Sequence, residues 1–370
     1  MLCNMNELNQ GETARYARHL TLPEVGHAGQ LKLKNASVLV VGMGGLGSPA
    51  AMYLAAAGVG RLGIVDFDAV DESNLHRQII YGQSNLGERK VESAQRRLLD
   101  INSHIDVVTF DNKLTRENAL NLFSEFDIVA DGTDNFPTRY LVNDACQLLG
   151  KPNVYASIFR FEGQVSVFDA RKGPCYRCLF PKPPPPGDVP SCAEGGVLGV
   201  LPGIVGTLQA NEVIKLILGI GESLVGKLLT FSALTMRFHV LSIAKDPKCC
   251  LCSDNKTFTK LAEYEALCGL SVDEIKAADL ASLLETKSVQ LVDVRESVEW
   301  EFSRIEGSTL MPLSLFSRSM RTLSRSERIV VYCESGMRSA RAFQILKNNG
   351  FDNVTSLQGG MAAWRTWLAQ

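Results

Sequence analysis

The chain has almost no net charge, no long uninterrupted apolar run and no apolar leader. Its 38 lysines and arginines against 40 aspartates and glutamates leave a formal charge of -2. That removes the basic excess of a nonspecific nucleic-acid binder. The most apolar stretch, residues 197–220, is interrupted by Gln209, Asn211, Glu212 and Lys215. Those four side chains argue for a buried helix and against a membrane span. The opening MLCNMNELNQ is polar and lacks the apolar core of a secretory signal. The expectation is a cytoplasmic protein with no membrane partner and no direct nucleic-acid partner.

A length of 370 residues with 45% hydrophobic content allows one very large domain or two ordinary ones. Ten cysteines at that expected location point to metal binding or thiol chemistry rather than a disulfide framework.

The organising stretch is SVLVVGMGGLGS, Ser37 to Ser48. Val38 to Val41 has the length of a buried parallel strand. It ends in Gly42, Gly44, Gly45 and Gly47. Ser48 is expected to cap a helix with Pro49 at its first position. A strand, a glycine turn and a helix N-terminus together receive a phosphate, because amides and dipole point at the anion. The helix should stop at Gly58. A second strand, Arg61 to Val65, ends at Asp66, near the spacing at which a carboxylate meets a ribose hydroxyl. A ligand-free tight turn is the alternative, and a nicotinamide dinucleotide is the default nucleotide.

The next segments change that default. RYARHL, residues 15–20, reads as part of an N-terminal helix on which Arg18 is an ordinary surface charge. In DAVDESNLHRQ, Asn74, Arg77 and Gln78 fall within about one helical turn, and Lys90 opens an amphipathic helix. Either cation alone reads as a solvated helix-end charge, but Arg77 and Lys90 together suit a triphosphate. FDIVA, residues 126–130, is another buried strand and leads to Asp134 at the C-terminal edge of the sheet. A carboxylate beside phosphates holds magnesium, a hard cation that prefers oxygen. The set describes Mg-ATP better than a nicotinamide dinucleotide.

Cys175 and Cys178 form one C-x2-C knuckle, and Cys249 and Cys252 a second. Two such turns close a tetrahedron around zinc, while a single pair would also suit redox chemistry. Cys250 is a competing ligand. Between the knuckles, four consecutive prolines precede Cys192 on an extended surface loop. That thiol is either incidental or must reach a reaction centre. Residues 203–218 read as a helix under the sheet, and residues 253–269 as a polar linker.

From about Leu270 the pattern restarts. Strands are expected over residues 288–294 and 328–332, the latter running directly into Cys333. ESGMRS follows, then a helix near Ala340. Amides, dipole and Arg338 should favour a thiolate at the base of this cradle. A phosphatase cradle is C-x5-R. Here Cys333 to Arg338 is C-x4-R, which suits a terminal sulfur better.

These motifs carry a resemblance. GMGGLG, DFDAVDESNLHRQ, GERKVESA, DGTDNF, CYRC and KCCLC resemble the adenylating enzymes of sulfur-carrier proteins, relatives of the ubiquitin-activating enzymes. The molybdopterin-synthase and thiamine-pathway adenylyltransferases are the nearest type. LVDVRE, VVYCESGMRSAR and LQGGMAAW resemble a rhodanese. The resemblance implies an α/β, Rossmann-like ATP-binding domain with a largely parallel sheet and a zinc site over residues 1–252. A linker over 253–269 and a small α/β rhodanese domain over 270–370 would follow.

It also implies a reaction. A ubiquitin-like carrier ending in Gly-Gly is adenylated, and a persulfide on Cys333 then displaces AMP to give a thiocarboxylate. Asp66 would hold the ribose, Arg77 and Lys90 the phosphates, and Asp134 the magnesium, with Asn74 also among the nucleotide-binding residues. Arg18 would come from the other subunit of a homodimer. Cys192 matches a loop cysteine that some members use for an acyl-enzyme or mixed-disulfide intermediate. A cysteine desulfurase or other donor would load Cys333. Two departures stand out: Glu334 follows Cys333 where arginine is frequent and should work against the thiolate, and RIEGS replaces a usual histidine and proline. Rival readings are a nicotinamide-dependent oxidoreductase, an enzyme that adenylates a tRNA base, and a rhodanese domain that only recruits partners.

Overall fold

Val38 to Val41 alternate between two apolar layers, as a strand with both faces covered must. Val38 and Val40 join one buried cluster, Leu39 and Val41 the other. The strand observed is β1, Ser37–Val41. The computed structural model describes residues 7–184, 196–264, 272–286, 289–334 and 336–368. The chain divides into two compact units, the first ending at Tyr264.

In the first unit the other strands are β2 (Arg61–Val65), β3 (Asp106–Phe110), β4 (Ile128–Asp131), β5 (Asn153–Phe159), β6 (Glu162–Phe168), β7 (Lys227–Ser232) and β8 (Arg237–Ser242). They form one sheet in the order β3-β2-β1-β4-β5-β6-β7-β8. The first five in that order pair in parallel and the last three are added antiparallel. The chain leaves β1 toward β2 and β3 on one side, and returns to β4 and β5 on the other. The switch point therefore lies between the C-terminal ends of β1 and β4, where open sheets of this kind leave a crevice for ligands.

Helices Gly47–Ala57 and Leu201–Leu218 cover one face, and Phe136–Leu149 lies in the cluster on the other. The buried polar residues of Leu201–Leu218 bond within the fold, except Gln209 Oε1, which has no partner among the described residues. Gln209 donates from Nε2 to the carbonyls of Asp131 and Val154, both at 2.8 Å. Glu212 accepts from the Leu224 amide at 2.9 Å. Among the described residues no helix is long and apolar enough to cross a membrane.

The second unit has β9 (Glu274–Ile275), β10 (Val289–Asp293), β11 (Thr309–Leu310), β12 (Arg328–Tyr332) and β13 (Val354–Leu357). All pair in parallel, in the order β11-β10-β12-β13-β9. β12 is central, so Cys333 emerges from the middle of the sheet.

Three local expectations are corrected. Ser48 does not cap the helix, which already begins at Gly47. Its hydroxyl instead donates to the Gly44 carbonyl at 2.7 Å. The N-terminal segment is two short helices, Gln10–Arg15 and Ala17–Leu20, broken at the buried Tyr16. The helix after Cys333 begins at Met337 rather than near Ala340, so Arg338 lies in its first turn.

Candidate functional sites

The glycine turn is held from beneath. The Gly42 amide donates to the Val65 carbonyl and the Met43 amide to Asp66 Oδ2, each at 2.8 Å. Tyr81 donates its hydroxyl to the Met43 carbonyl at 2.9 Å. At Gly42 φ is +87°. A Cβ on Gly47 would stand 1.8 Å from the Gly42 carbonyl oxygen, so no other residue closes this turn. Asp66 is thus a brace for the turn as well as the carboxylate at the end of β2. Burial pushes its pKa up, against the pull of Lys90.

DAVDESNLHRQ folds over this turn. A Cβ on Gly45 would lie 3.6 Å from Arg77 Cγ, and one on Gly44 3.7 Å from Gln78 Nε2. Asn74 ends the 3-10 turn Glu72–Asn74, and its carbonyl accepts from the amides of Arg77 and Gln78. Arg77 Nη1 donates to the Ser73 carbonyl at 2.9 Å. Lys90 starts the helix Lys90–Ile101 and is buried, its Nζ 2.9 Å from Asp68 Oδ2. Arg18 is exposed on Ala17–Leu20.

After β4 the chain supplies carboxylates. Asp131 is fully buried, and its Oδ1 accepts from the amide and hydroxyl of Thr133 at 3.0 and 2.6 Å. Among the described residues its Oδ2 accepts no hydrogen bond. Burial pushes the Asp131 carboxyl up, and the charge of Asp134 adds to the rise. Asp134 itself is exposed, just before Asn135, whose side chain caps the helix Phe136–Leu149. An orphaned carboxylate oxygen beside a second carboxylate is a donor set that fits a hard cation. Sequence reasoning missed Arg139, a buried cation donating to the Thr133 carbonyl at 3.1 and 3.3 Å. The helical spacing from Asn135 was the available signal.

The four knuckle thiols converge. Sγ of Cys175 lies 3.9 Å from Cys178 and 3.6 Å from Cys249, and Cys178 lies 3.4 Å from Cys252. All four sulfurs fall within 4.8 Å of one another. A Zn–S bond of about 2.3 Å gives a tetrahedral edge of about 3.8 Å, so the four residues fit zinc. Cys250 is outside the group.

Cys333 lies at the end of β12, 1% exposed. Its sulfur accepts from the Gly336 amide at 3.2 Å, with the Ser339 hydroxyl 3.6 Å away. Gly336 has φ +97°, which lets the loop bend its amide back to the thiol. The Met361 amide donates to the Cys333 carbonyl at 2.7 Å, so GGMAAW closes the cradle. Arg338 directs both terminal nitrogens to Glu299, at 2.6 Å each. Glu334 is bound by the buried Arg295 at 3.0 Å and by Arg365 at 2.9 Å. Two cations thus share its charge. Glu299 and Arg365 carried no sequence signal, since neither belongs to the cysteine loop. Cys192 lies outside the described residues.

Comparison with known proteins agrees with this geometry. Residues 16–252 match the ThiF family, and residues 276–366 the rhodanese-like domain. The chain is 47% identical to the probable adenylyltransferase/sulfurtransferase MoeZ of Mycobacterium tuberculosis, covering 96% of this chain and 94% of that protein. It is 43% identical to the adenylyltransferase and sulfurtransferase MOCS3 of Sus scrofa, covering 96% and 86%. It is 54% identical to a sulfur carrier protein adenylyltransferase of Thermus thermophilus, covering 70% and 97%. Among solved structures, E. coli MccB with ATP matches with a TM-score of 0.58 at 25% identity, covering 66% of this chain and 75% of that one.

Proposed function

The chain belongs to the ThiF family and carries a rhodanese-like domain behind it, and from that premise we propose a two-step reaction on one polypeptide. It is an adenylyltransferase and sulfurtransferase that acts on a sulfur-carrier protein. In the first step the carrier's C-terminal Gly-Gly carboxylate attacks the α-phosphorus of ATP. The bond to the β-phosphate oxygen breaks, pyrophosphate leaves, and an acyl-adenylate remains. The turn at Gly42, Gly44, Gly45 and Gly47 receives the phosphates through its amides. Arg77 and Lys90 bind their charge, Asn74 contributes to the nucleotide site, and Asp66 accepts from the ribose. Asp134 would hold magnesium, which when bound neutralises the phosphates.

In the second step a persulfide on Cys333 attacks the acyl carbon with its outer sulfur, and AMP leaves. A second thiol then attacks the Cys333 sulfur. This releases the carrier thiocarboxylate and leaves a disulfide for an external thiol to reduce. Cys192 is the chain's candidate for that thiol. The Gly336 amide and the first turn of the following helix stabilise the charge on sulfur. A carboxylate is a poor acyl donor, so activation precedes transfer.

Cys175, Cys178, Cys249 and Cys252 would hold zinc in a structural role. A cysteine desulfurase is proposed as the sulfur donor. Arg18 is proposed to act in the neighbouring site of a homodimer. Mixing Arg18→Ala and Asp134→Ala chains should then restore part of the activity that each lacks alone.

The observation that supports adenylation most is the packing of Arg77 and Gln78 over the glycine turn at the switch point. Carrier-dependent exchange of pyrophosphate into ATP tests it. Exchange that is lost in Asp134→Ala supports the reading; no exchange with any Gly-Gly-ended carrier contradicts it.

A further inference from the structure

Part of the segment expected as a linker is docked on the first unit. The Thr257 and Phe258 amides both donate to the Cys250 carbonyl at 2.9 Å. The Phe258 ring lies 4.9 Å from the Arg177 guanidinium. Leu261 and Ala262 pack on the apolar cluster that includes Leu39 and Tyr140. Glu263 pairs with Arg116 at 2.5 Å. Tyr264 is buried, and its hydroxyl donates to Asp144 Oδ2 at 2.8 Å. The same carboxylate holds Arg177 through two bonds of 2.8 and 2.7 Å. Arg177 stands between Cys175 and Cys178, so the knuckle, the helix Phe136–Leu149 and the chain beyond Phe258 share one buried polar knot.

A phenylalanine ring would occupy the same apolar site. The hydroxyl adds a bond that only one placement of the chain can make, and a buried ion pair enforces such placement because an unmet partner is costly. We propose that Tyr264 is a positioning residue: it fixes where the chain leaves the first unit for the sulfurtransferase unit. It thereby shortens the tether that delivers the Cys333 persulfide to the adenylate. This rests on the two-step reading above. The span from Tyr264 to Glu274, the first residue of β9, is 10 residues; from Cys252 it would be 22. Effective concentration varies with tether length, as roughly its -3/2 power beyond the length that matches the span, so releasing the anchor should change the transfer rate by about threefold.

The test uses the full chain with the Gly-Gly-ended carrier that supports pyrophosphate exchange, and inorganic polysulfide as donor. In Tyr264→Ala, exchange and Cys333 persulfide loading should stay at wild-type rates. Thiocarboxylate formation should change by about threefold, and tryptic cleavage at Lys256 and Lys260 should accelerate. Tyr264→Phe should lie between the two. A twelve-residue Gly/Ser insertion after Tyr264 in the otherwise wild-type chain should reproduce the change in transfer without the new cleavage. An unchanged transfer rate in Tyr264→Ala overturns the proposal. So does a parallel fall in exchange, which marks a merely structural role, or an insertion without effect. Absence of exchange in the wild-type chain would instead remove the reading on which the proposal rests.

Discussion

Arg338 and Glu299 form a two-pronged pair, with both terminal guanidinium nitrogens 2.6 Å from the two carboxylate oxygens. The cation one would assign to the sulfur is thus committed to the helix Ser297–Phe302. Burial pushes the Glu299 carboxyl up, but its bonds to Arg338 outweigh this and hold it below the usual glutamate range. A depressed carboxyl stabilises the fold above its unfolded value, and the gain is lost as pH falls through the folded value. The second unit should therefore lose stability on acidification below the ordinary glutamate range. Glu299→Gln should flatten that part of the pH–stability curve and cost about 1 kcal/mol at neutral pH, since the pair is partly solvated.

Asp66 gives a pH dependence of the opposite origin. Burial raises its carboxyl, so it takes up a proton at a higher pH than an ordinary aspartate. Protonation would weaken the acceptor of the Met43 amide and remove the one proposed for the ribose. ATP affinity, measured by titration calorimetry, should begin to fall on acidification above the usual aspartate range. Asp66→Asn should be weak at every pH.

Asp134 is exposed, so Asp134→Ala should leave the melting temperature unchanged. Pyrophosphate exchange should fall by about a hundredfold or more, the scale of losing an electrostatic stabiliser at a reacting phosphate. Unchanged exchange would remove Asp134 from the site.

The four-thiol cluster predicts one zinc per chain by elemental analysis. Cys252→Ser or strong chelation should lower the melting temperature of the first unit. The small apolar cluster of Cys175, Cys249 and Leu251 loses its cross-link in either case. Rhodanese activity of the second unit should be unaffected.

Much of the frame around the glycine turn was legible because its residues are local. β1, the glycine turn and β2 are short apolar runs punctuated by glycine, and the helix stops at Gly58 in the left-handed region, as its residue type demands. Arg61–Val65 and Arg328–Tyr332 have the bounds that their sequences indicate. The helix starts were less legible. Ser48 bonds back to Gly44 because the tight turn already makes Gly47 helical, and propensity at one residue does not decide that. The ion pairs around the cysteine loop were not legible: Glu299 binds Arg338 and Arg365 binds Glu334 from separate helices, and no spacing rule connects them to the loop. Tyr264 was hidden for the same reason: a polar, aperiodic stretch docks through a few long-range contacts rather than through a repeating face.

The central claim is that sulfur moves from Cys333 to an adenylated carrier. The direct measurement loads Cys333 with isotopically labelled sulfur, adds ATP and carrier, and follows the label by mass spectrometry. Label should appear as thiocarboxylate on the carrier only when ATP is present, and in neither Cys333→Ala nor Asp134→Ala. Label that stays on Cys333 while pyrophosphate is released, or that reaches the carrier without ATP, would contradict the account.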